Sequence, residues 1–141
     1  MLSIFGSQIY YMGNTTIAKP QVEIDDAVKE LMAAQTEECT IVHCRYFTTE
    51  PTGVRIWPQT FLVEDTGRRC KLIKNFNIAI MPQWTFHLVA NTFIRFTLVF
   101  EALAKDCTFF HLLEDIPQPF AFYSNRVTKN SSGVYTVEVF C

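Results

Sequence analysis

The chain has 141 residues, of which 49% are hydrophobic, 18% charged and 14% aromatic, and its formal net charge is −2. This length is that of one domain with a core of its own, and the composition excludes disorder over most of the chain. The lack of a basic excess excludes a general nucleic-acid binder. No apolar run approaches the roughly 18 residues of a membrane-spanning helix, and no signal peptide is visible at the N-terminus.

The N-terminal part of the chain gives mixed signals. We predict an N-terminal extension or edge strand over residues 1–20 and a single β-sandwich domain over residues 21–141. Residues 25–35 have the composition of a capped helix, with Val28 and Leu31 on one face. Tertiary pairing would make the same segment a strand, because helix propensity is a weak preference. The sequence leaves both open.

From residue 39 onwards, apolar and polar residues alternate with the period of two that is typical of half-buried strands. Val42 and Cys44, for example, alternate with His43 and Arg45. Seven or eight short strands separated by turn residues predict an all-β sandwich. The clearest predicted strands cover residues 39–47, 54–57, 61–64, 70–74, 93–101, 120–123 and 134–140.

Two of these segments carry specific predictions. Residues 65–68 (Asp-Thr-Gly-Arg) predict a hairpin turn, because Gly67 can adopt the positive φ that such turns need. In the strand over residues 93–101, Phe96, Leu98 and Phe100 share one face and are predicted to enter the core.

Four stretches carry a resemblance to a known family. They are TEECTIV at residues 36–42, GVRIWPQTFLVEDTGRRCKL at 53–72, FTLVFEALAKDC at 96–107 and FHLLE at 110–114. Together they resemble an immunoglobulin-like β-sandwich domain of unknown function that occurs in exported proteins of Bacteroides-type bacteria, often ahead of a thioredoxin-like module. The resemblance covers a little over half of the chain.

The resemblance implies an immunoglobulin-like fold, an extracytoplasmic location and a strand over residues 28–34. Four positions depart from the family pattern: Ala104 replaces proline, Cys107 threonine, Cys70 an aromatic residue and His111 aspartate. The chain has no Cys-x-x-Cys motif. Because the matching positions are strand and turn residues, the resemblance transfers no catalytic site.

The five cysteines, Cys39, Cys44, Cys70, Cys107 and Cys141, are an odd number at irregular spacing. We therefore predict buried thiols that act as small hydrophobic residues, with one cross-strand disulfide as the alternative. A catalytic thiol would need a nearby histidine. His43 and Cys44 are neighbours on a strand and so point to opposite faces, and nothing in the sequence places His87 or His111 beside a cysteine.

No metal, cofactor or catalytic site is predicted. Cys39 and His43 share a strand face but lie about 13 Å apart at the rise of an extended chain, too far to share a zinc ion. The acidic residues Glu101, Asp106 and Glu114 are scattered, so no pair of facing carboxylates is indicated.

Exposed aromatic and basic residues are the remaining candidates for an interaction surface. Most rings among Trp57, Trp84, Phe86, Phe109 and Tyr123 are expected in the core, because a two-layer sandwich needs many inward residues. Arg68, Arg69 and Lys71 form a basic cluster that would deter edge pairing at a solvated hairpin or hold an acidic partner. The candidate interaction surface is therefore Trp57, Trp84, Arg68, Arg69 and Lys71.

These observations favour a non-catalytic module that contacts a protein partner or self-associates through an edge strand. A sandwich that binds a carbohydrate or another cell-envelope ligand through exposed aromatic rings is the alternative. A thiol-dependent enzyme is the third hypothesis.

Overall fold

The computed structural model describes residues 39–141, which are all-β and contain no helix. No helix of this part is therefore long and apolar enough to span a membrane. The predictions for residues 1–20, for a boundary at residue 21 and for residues 25–35 lie outside the described residues. The strands are β1 (Cys39–Thr48), β2 (Thr52–Val54), β3 (Thr60–Glu64), β4 (Arg69–Phe76), β5 (Thr85–His87), β6 (Thr92–Glu101), β7 (Phe109–Glu114), β8 (Tyr123–Ser124), β9 (Val127–Thr128) and β10 (Val134–Phe140).

Seven strands form one mixed sheet in the order β3-β4-β6-β1-β10-β8-β7, which closes because β3 also pairs with β7. Strand β9 lies beside β7. All neighbours are antiparallel except β1 and β10, which run parallel. Closure leaves few free strand edges in this sheet. Strands β2 and β5 form a separate two-stranded ribbon, and an isolated bridge joins Ile56, which follows β2, to Ile80, which precedes β5.

The core lies inside the closed sheet and is built by the predicted alternation. Strands β1 and β6 pair over ten residues each, and Phe96, Leu98 and Phe100 are buried as predicted. Leu62 and Phe110 enter the same cluster from β3 and β7. Each such side chain contributes about 1.5–3 kcal/mol through burial. The predicted core face of β6 is confirmed.

The predicted hairpin is also confirmed. Strands β3 and β4 pair antiparallel across the turn, and Gly67 adopts a φ of 94°. Lack of space is not the reason for glycine at position 67, since nothing lies within 4 Å of the position of an added Cβ. Its role is to permit the left-handed backbone.

Two predicted strands are shorter than expected, and residues 39–141 alone contain ten strands, where seven or eight were expected for the chain. The strand expected over residues 54–57 ends at Val54, and the one expected over 120–123 begins only at Tyr123. Both strands are shortened for the same reason. The backbone N–H groups of Trp57 and Phe122 donate to the Glu114 carboxylate instead of to a neighbouring strand.

Candidate functional site: an aromatic cleft

An open cleft of about 870 Å³ lies beside the β2–β5 ribbon. One wall is the ribbon and the residues that follow β2, and the other is the segment between β7 and β8. This volume is in the range of clefts that hold small ligands. The lining residues are Tyr46, Glu50, Thr52, Gly53, Val54, Arg55, Trp57, Trp84, Glu114, Ile116, Gln118, Pro119, Phe120, Phe122 and Cys141.

A stack of two tryptophans and an arginine forms the ribbon wall of the cleft. The Arg55 guanidinium carbon lies 4.0 Å from the ring centroid of Trp84 and 5.5 Å from that of Trp57. Its Nη1 donates to the Pro82 carbonyl at 3.2 Å, whereas the buried Nε has no partner among the described residues. Cation–π contact and one hydrogen bond therefore hold Arg55 flat between the rings.

Gly53 allows the rings to lie close to the ribbon backbone. A Cβ at this position would be 3.2 Å from Cε1 of Phe86 and 3.3 Å from Cε3 of Trp84. Gly53 pairs directly with Phe86 across the ribbon. Any other residue would push the exposed rings outward, so Gly53 sets where they stand.

Glu114 fixes the two walls relative to each other. Its Oε2 accepts a hydrogen bond from the Trp57 N–H and its Oε1 one from the Phe122 N–H, both at 2.9 Å. Burial raises the pKa of Glu114, while these two N–H donors and the charge of Arg55 oppose the rise. Because both oxygens are already occupied, Glu114 is a structural clamp at the base of the cleft.

The wall opposite the ribbon ends in an exposed aromatic residue. The side chain of Phe120 is 80% exposed, and its backbone adopts a φ of 65°, in the left-handed region that β-carbon-bearing residues rarely use. Burial does not explain this geometry. Strained backbone of this kind is concentrated at functional sites.

Polar groups with unused bonding capacity lie among the rings. Within residues 39–141, the Glu50 carboxylate and the Gln118 amide make no hydrogen bond or ion pair, and both residues are exposed. The indole N–H groups of Trp57 and Trp84 likewise donate to no group of the described chain. The cleft therefore combines ring faces with free donors and acceptors.

A strongly apolar surface lies next to the cleft on the ribbon. Phe86 is 71% exposed, and Leu88 and Val89, which follow β5, are 78% and 60% exposed. Trp84 is 50% exposed. Neighbouring exposed apolar residues of this size typically mark an interaction surface.

The candidate interaction surface predicted from sequence is split by the fold. Trp57 and Trp84 line the cleft, but Arg68, Arg69 and Lys71 do not. The Arg68 guanidinium pairs with the buried Glu64 carboxylate.

Arg69 and Lys71 lie on β4. The Arg69 guanidinium pairs with Asp115 at 2.9 Å and stacks on the Phe61 ring. The Lys71 N–H donates to Glu101. Protection of an edge strand does not explain the basic cluster, because β4 is paired with β3 on one side and β6 on the other.

The expectation that most of the candidate rings enter the core is wrong. Trp84, Phe86 and Tyr123 are exposed, and Trp57 and Phe109 are only partly buried. The core is filled instead by residues such as Phe96, Phe100 and Phe110. These residues supply the inward faces, so the other rings are left for the surface.

The cysteines mostly follow the prediction of buried thiols. Cys44, Cys70 and Cys107 are buried free thiols, and Cys141 is an exposed one. Burial raises the pKa of Cys44 far above its usual value and that of Cys70 to about 12, where Glu64 adds to the effect. Burial also raises the pKa of Cys107. Such thiols are not nucleophilic at neutral pH.

The exposed thiol belongs to the cleft. The Cys141 Sγ lies 3.1 Å from the Tyr46 hydroxyl, to which it donates. Burial and this contact raise the pKa of Tyr46 to about 12, so its hydroxyl stays protonated at neutral pH. His43 contacts Thr97 rather than a cysteine, with Nδ1 2.8 Å from Oγ1.

Sequence reasoning missed several residues of the cleft. Gly53 and Arg55 precede the candidate Trp57 at a spacing of two, and this signal could have placed all three on one face. No local pattern marks Phe120 or the clamp at Glu114. Among residues 39–141, no group of three or more metal-ligating side chains is placed to hold an ion. The chain matches none of the family models, curated proteins or solved structures with which it was compared.

Proposed function

We propose that this chain is a non-catalytic binding module that holds a partner in the aromatic cleft. The observation that carries the proposal is that two exposed rings, Trp84 and Phe120, line one cleft. A fold alone would bury large rings, since each loses about 1.5–3 kcal/mol of stabilisation by staying in water. Rings kept exposed around a cavity are better explained by a partner that covers them.

The chemistry of the cleft supports binding rather than catalysis. Both carboxylate oxygens of Glu114 accept hydrogen bonds from backbone N–H groups of the two segments that line the cleft, which gives this carboxylate a structural role. The three buried thiols are held protonated, which disfavours the thiol-dependent enzyme. That hypothesis predicts fast alkylation near neutral pH. We expect instead that iodoacetamide modifies Cys141 no faster than it modifies free cysteine, and Cys44, Cys70 and Cys107 only after unfolding.

We further propose that the domain is an immunoglobulin-like sandwich of an exported bacterial protein. The support is the family resemblance over residues 36–114 together with the all-β fold of short, mostly antiparallel strands. Phe86, Leu88 and Val89 form a second, apolar surface beside the cleft, which a protein partner would cover. An experimental structure whose strand order differs from that of an immunoglobulin-like sandwich would contradict this assignment.

Intrinsic tryptophan fluorescence tests the binding proposal directly. The chain has two tryptophans, and both line the cleft. Titration with one panel of peptides and one of oligosaccharides should give a saturable emission change for a member of at least one panel. The same ligand should lose its effect on Phe120→Ala. If no member of either panel changes the emission, the binding proposal is wrong.

A further inference from the structure

We infer that the cleft binds a neutral oligosaccharide, with a sugar ring stacked between the ribbon wall and Phe120. This inference rests on the proposed binding function and names its ligand class. It follows from three features of the cleft. Aromatic ring faces are exposed, nearby polar groups make no hydrogen bond within residues 39–141, and the charges of the lining side chains nearly cancel.

The ring faces suit the flat C–H faces of a sugar. Arg55 contacts the ring of Trp84, and the absence of a side chain at Gly53 lets this ring lie close to the ribbon backbone. Its orientation is therefore set before any ligand arrives, and half of its surface remains in contact with water. Phe120 stands on the other wall with 80% of its surface exposed. A preorganised platform and a second ring can enclose one ligand ring with little loss of conformational freedom.

The polar groups suit the hydroxyls of a sugar. The Glu50 carboxylate can accept hydrogen bonds, the Gln118 amide can donate and accept, and the indole N–H of Trp84 can donate. None of these groups is engaged by another group of residues 39–141. A ligand that is apolar at these points would bury them without partners, which is unfavourable, whereas the hydroxyls of a sugar both donate and accept and so supply a partner for each.

The charges favour a neutral ligand over an acidic one. Glu50 and Glu114 contribute carboxyl groups to the cleft lining, and within residues 39–141 Arg55 is the one cationic side chain of that lining. Arg55 is also committed to the two tryptophan rings and to Pro82. No cation is therefore left to face the carboxylate of a uronic acid, and Glu50 would repel it.

The test is a titration of the full chain followed by tryptophan fluorescence and calorimetry. The neutral probes are cello-, xylo-, malto-, laminari- and chito-oligosaccharides, and the acidic probe is an oligogalacturonate. A proline-rich peptide serves as the apolar probe. We expect at least one neutral oligosaccharide to bind, and the oligogalacturonate to bind at least about tenfold more weakly.

Variants locate the site. Trp84→Ala and Phe120→Ala should each weaken oligosaccharide binding about tenfold or more, and Glu50→Gln several-fold. Phe47→Ala is the matched control, because Phe47 is an exposed ring that does not line the cleft, and it should leave the affinity unchanged. Phe120 is so exposed that its variant should fold even if Trp84→Ala does not.

The outcomes separate the two proposals. If the peptide binds and no neutral oligosaccharide does, the oligosaccharide inference is wrong while the binding proposal stands. If no probe binds, both are wrong. Oligosaccharide binding that is unaffected by Phe120→Ala and Glu50→Gln would place the ligand outside the cleft and would overturn the inference as well.

Discussion

Two arginines at different places in the fold show that the same kind of side chain can either stabilise the fold or remain available for binding. Arg68, at the β3–β4 hairpin, pairs with the buried Glu64 carboxylate and also donates to the Ala102 carbonyl. Arg55, at the cleft, pairs with no carboxylate of residues 39–141 and lies against two tryptophan rings. At the hairpin the cation and the carboxylate pair with each other, although the buried Oε1 of Glu64 has no hydrogen-bond partner within residues 39–141, whereas at the cleft several exposed polar groups of these residues are unpaired.

The difference assigns separate roles to the two regions. Glu64 at the hairpin is fully buried and also accepts a hydrogen bond from the Ala104 N–H at 2.9 Å, so the region ties β3, β4 and the segment after β6 together. The cleft instead keeps Trp84 and Phe120 in water on a fixed frame. Substitutions at the hairpin should therefore change stability, and substitutions at the cleft should change binding.

The largest expected effect is at the hairpin. Arg68→Ala should lower the free energy of unfolding by about 3 kcal/mol, because it leaves the Glu64 carboxylate buried without its cation. Urea unfolding followed by circular dichroism measures this value. Lys71→Ala is the matched control and should change stability by less than about 0.5 kcal/mol, since its side chain is exposed. Equal effects of the two variants would contradict the structural role of Arg68.

The next effect is at the base of the cleft. Glu114→Gln should lower the free energy of unfolding by about 1–3 kcal/mol, because an amide accepts from only one of the two N–H groups and opposes the other with a donor. The amide would also loosen the link between the Trp57 and Phe122 segments. Urea unfolding checks the stability change, and a loss below about 0.5 kcal/mol would show that Glu114 is no clamp.

Glu114 also gives a pH dependence of definite sign. Burial raises its pKa, so just above the usual value of 4.5 the folded chain keeps a proton that the unfolded chain has released. The stability of the wild-type chain should therefore fall, relative to that of Glu114→Gln, as the pH rises through this window. Paired urea titrations measure the difference. A rise of wild-type stability relative to the variant would mean that the pKa is lowered.

A smaller effect of opposite sign is expected at Phe120. Phe120→Gly should raise the free energy of unfolding by about 1 kcal/mol, because glycine adopts a φ of 65° without strain and little buried surface is lost. The same variant should lose ligand binding. Thermal and urea unfolding test the gain, and a clear loss of stability would show that Phe120 has a structural role instead.

The smallest effect is at the exposed ion pair of the hairpin region. Arg69→Ala removes its pair with Asp115, whose two side chains are 43% and 56% exposed. Exposed pairs contribute about 0–1 kcal/mol, so the change in unfolding free energy should stay below about 1 kcal/mol and shrink in high salt. A loss of stability as large as that of Arg68→Ala would contradict the expected difference between a pair with a buried carboxylate, Arg68–Glu64, and the exposed pair Arg69–Asp115.

Local sequence patterns predicted the strands whose faces differ in polarity. Strand β10 has the predicted bounds, and β1, β6 and the β3–β4 hairpin are recovered because alternation and Gly67 act over a few residues. Closure of the sheet through β3 and β7 was not predicted, since it joins segments distant in the chain. The same limit applies to the β2–β5 ribbon, whose strands are three residues long.

The cleft was predicted only in part for the same reason. Trp57 and Trp84 were selected as candidates, but the contact through Arg55 forms only when two distant segments come together. Arg68, Arg69 and Lys71 are candidates on charge alone. Charge does not show that the fold pairs Arg68 with Glu64 and Arg69 with Asp115. Phe120 carries no sequence signal, because its importance lies in a backbone angle.

The most direct test of the central claim follows the two indole N–H signals of the chain in a ¹⁵N-correlated NMR spectrum during ligand titration. We predict that a bound neutral oligosaccharide changes the chemical shifts of the Trp57 and Trp84 indole N–H groups and of backbone N–H groups near Phe120. The chemical shifts of Arg68 and Arg69 should not change. Binding that leaves both indole signals unmoved, or that shifts the hairpin instead, would contradict it.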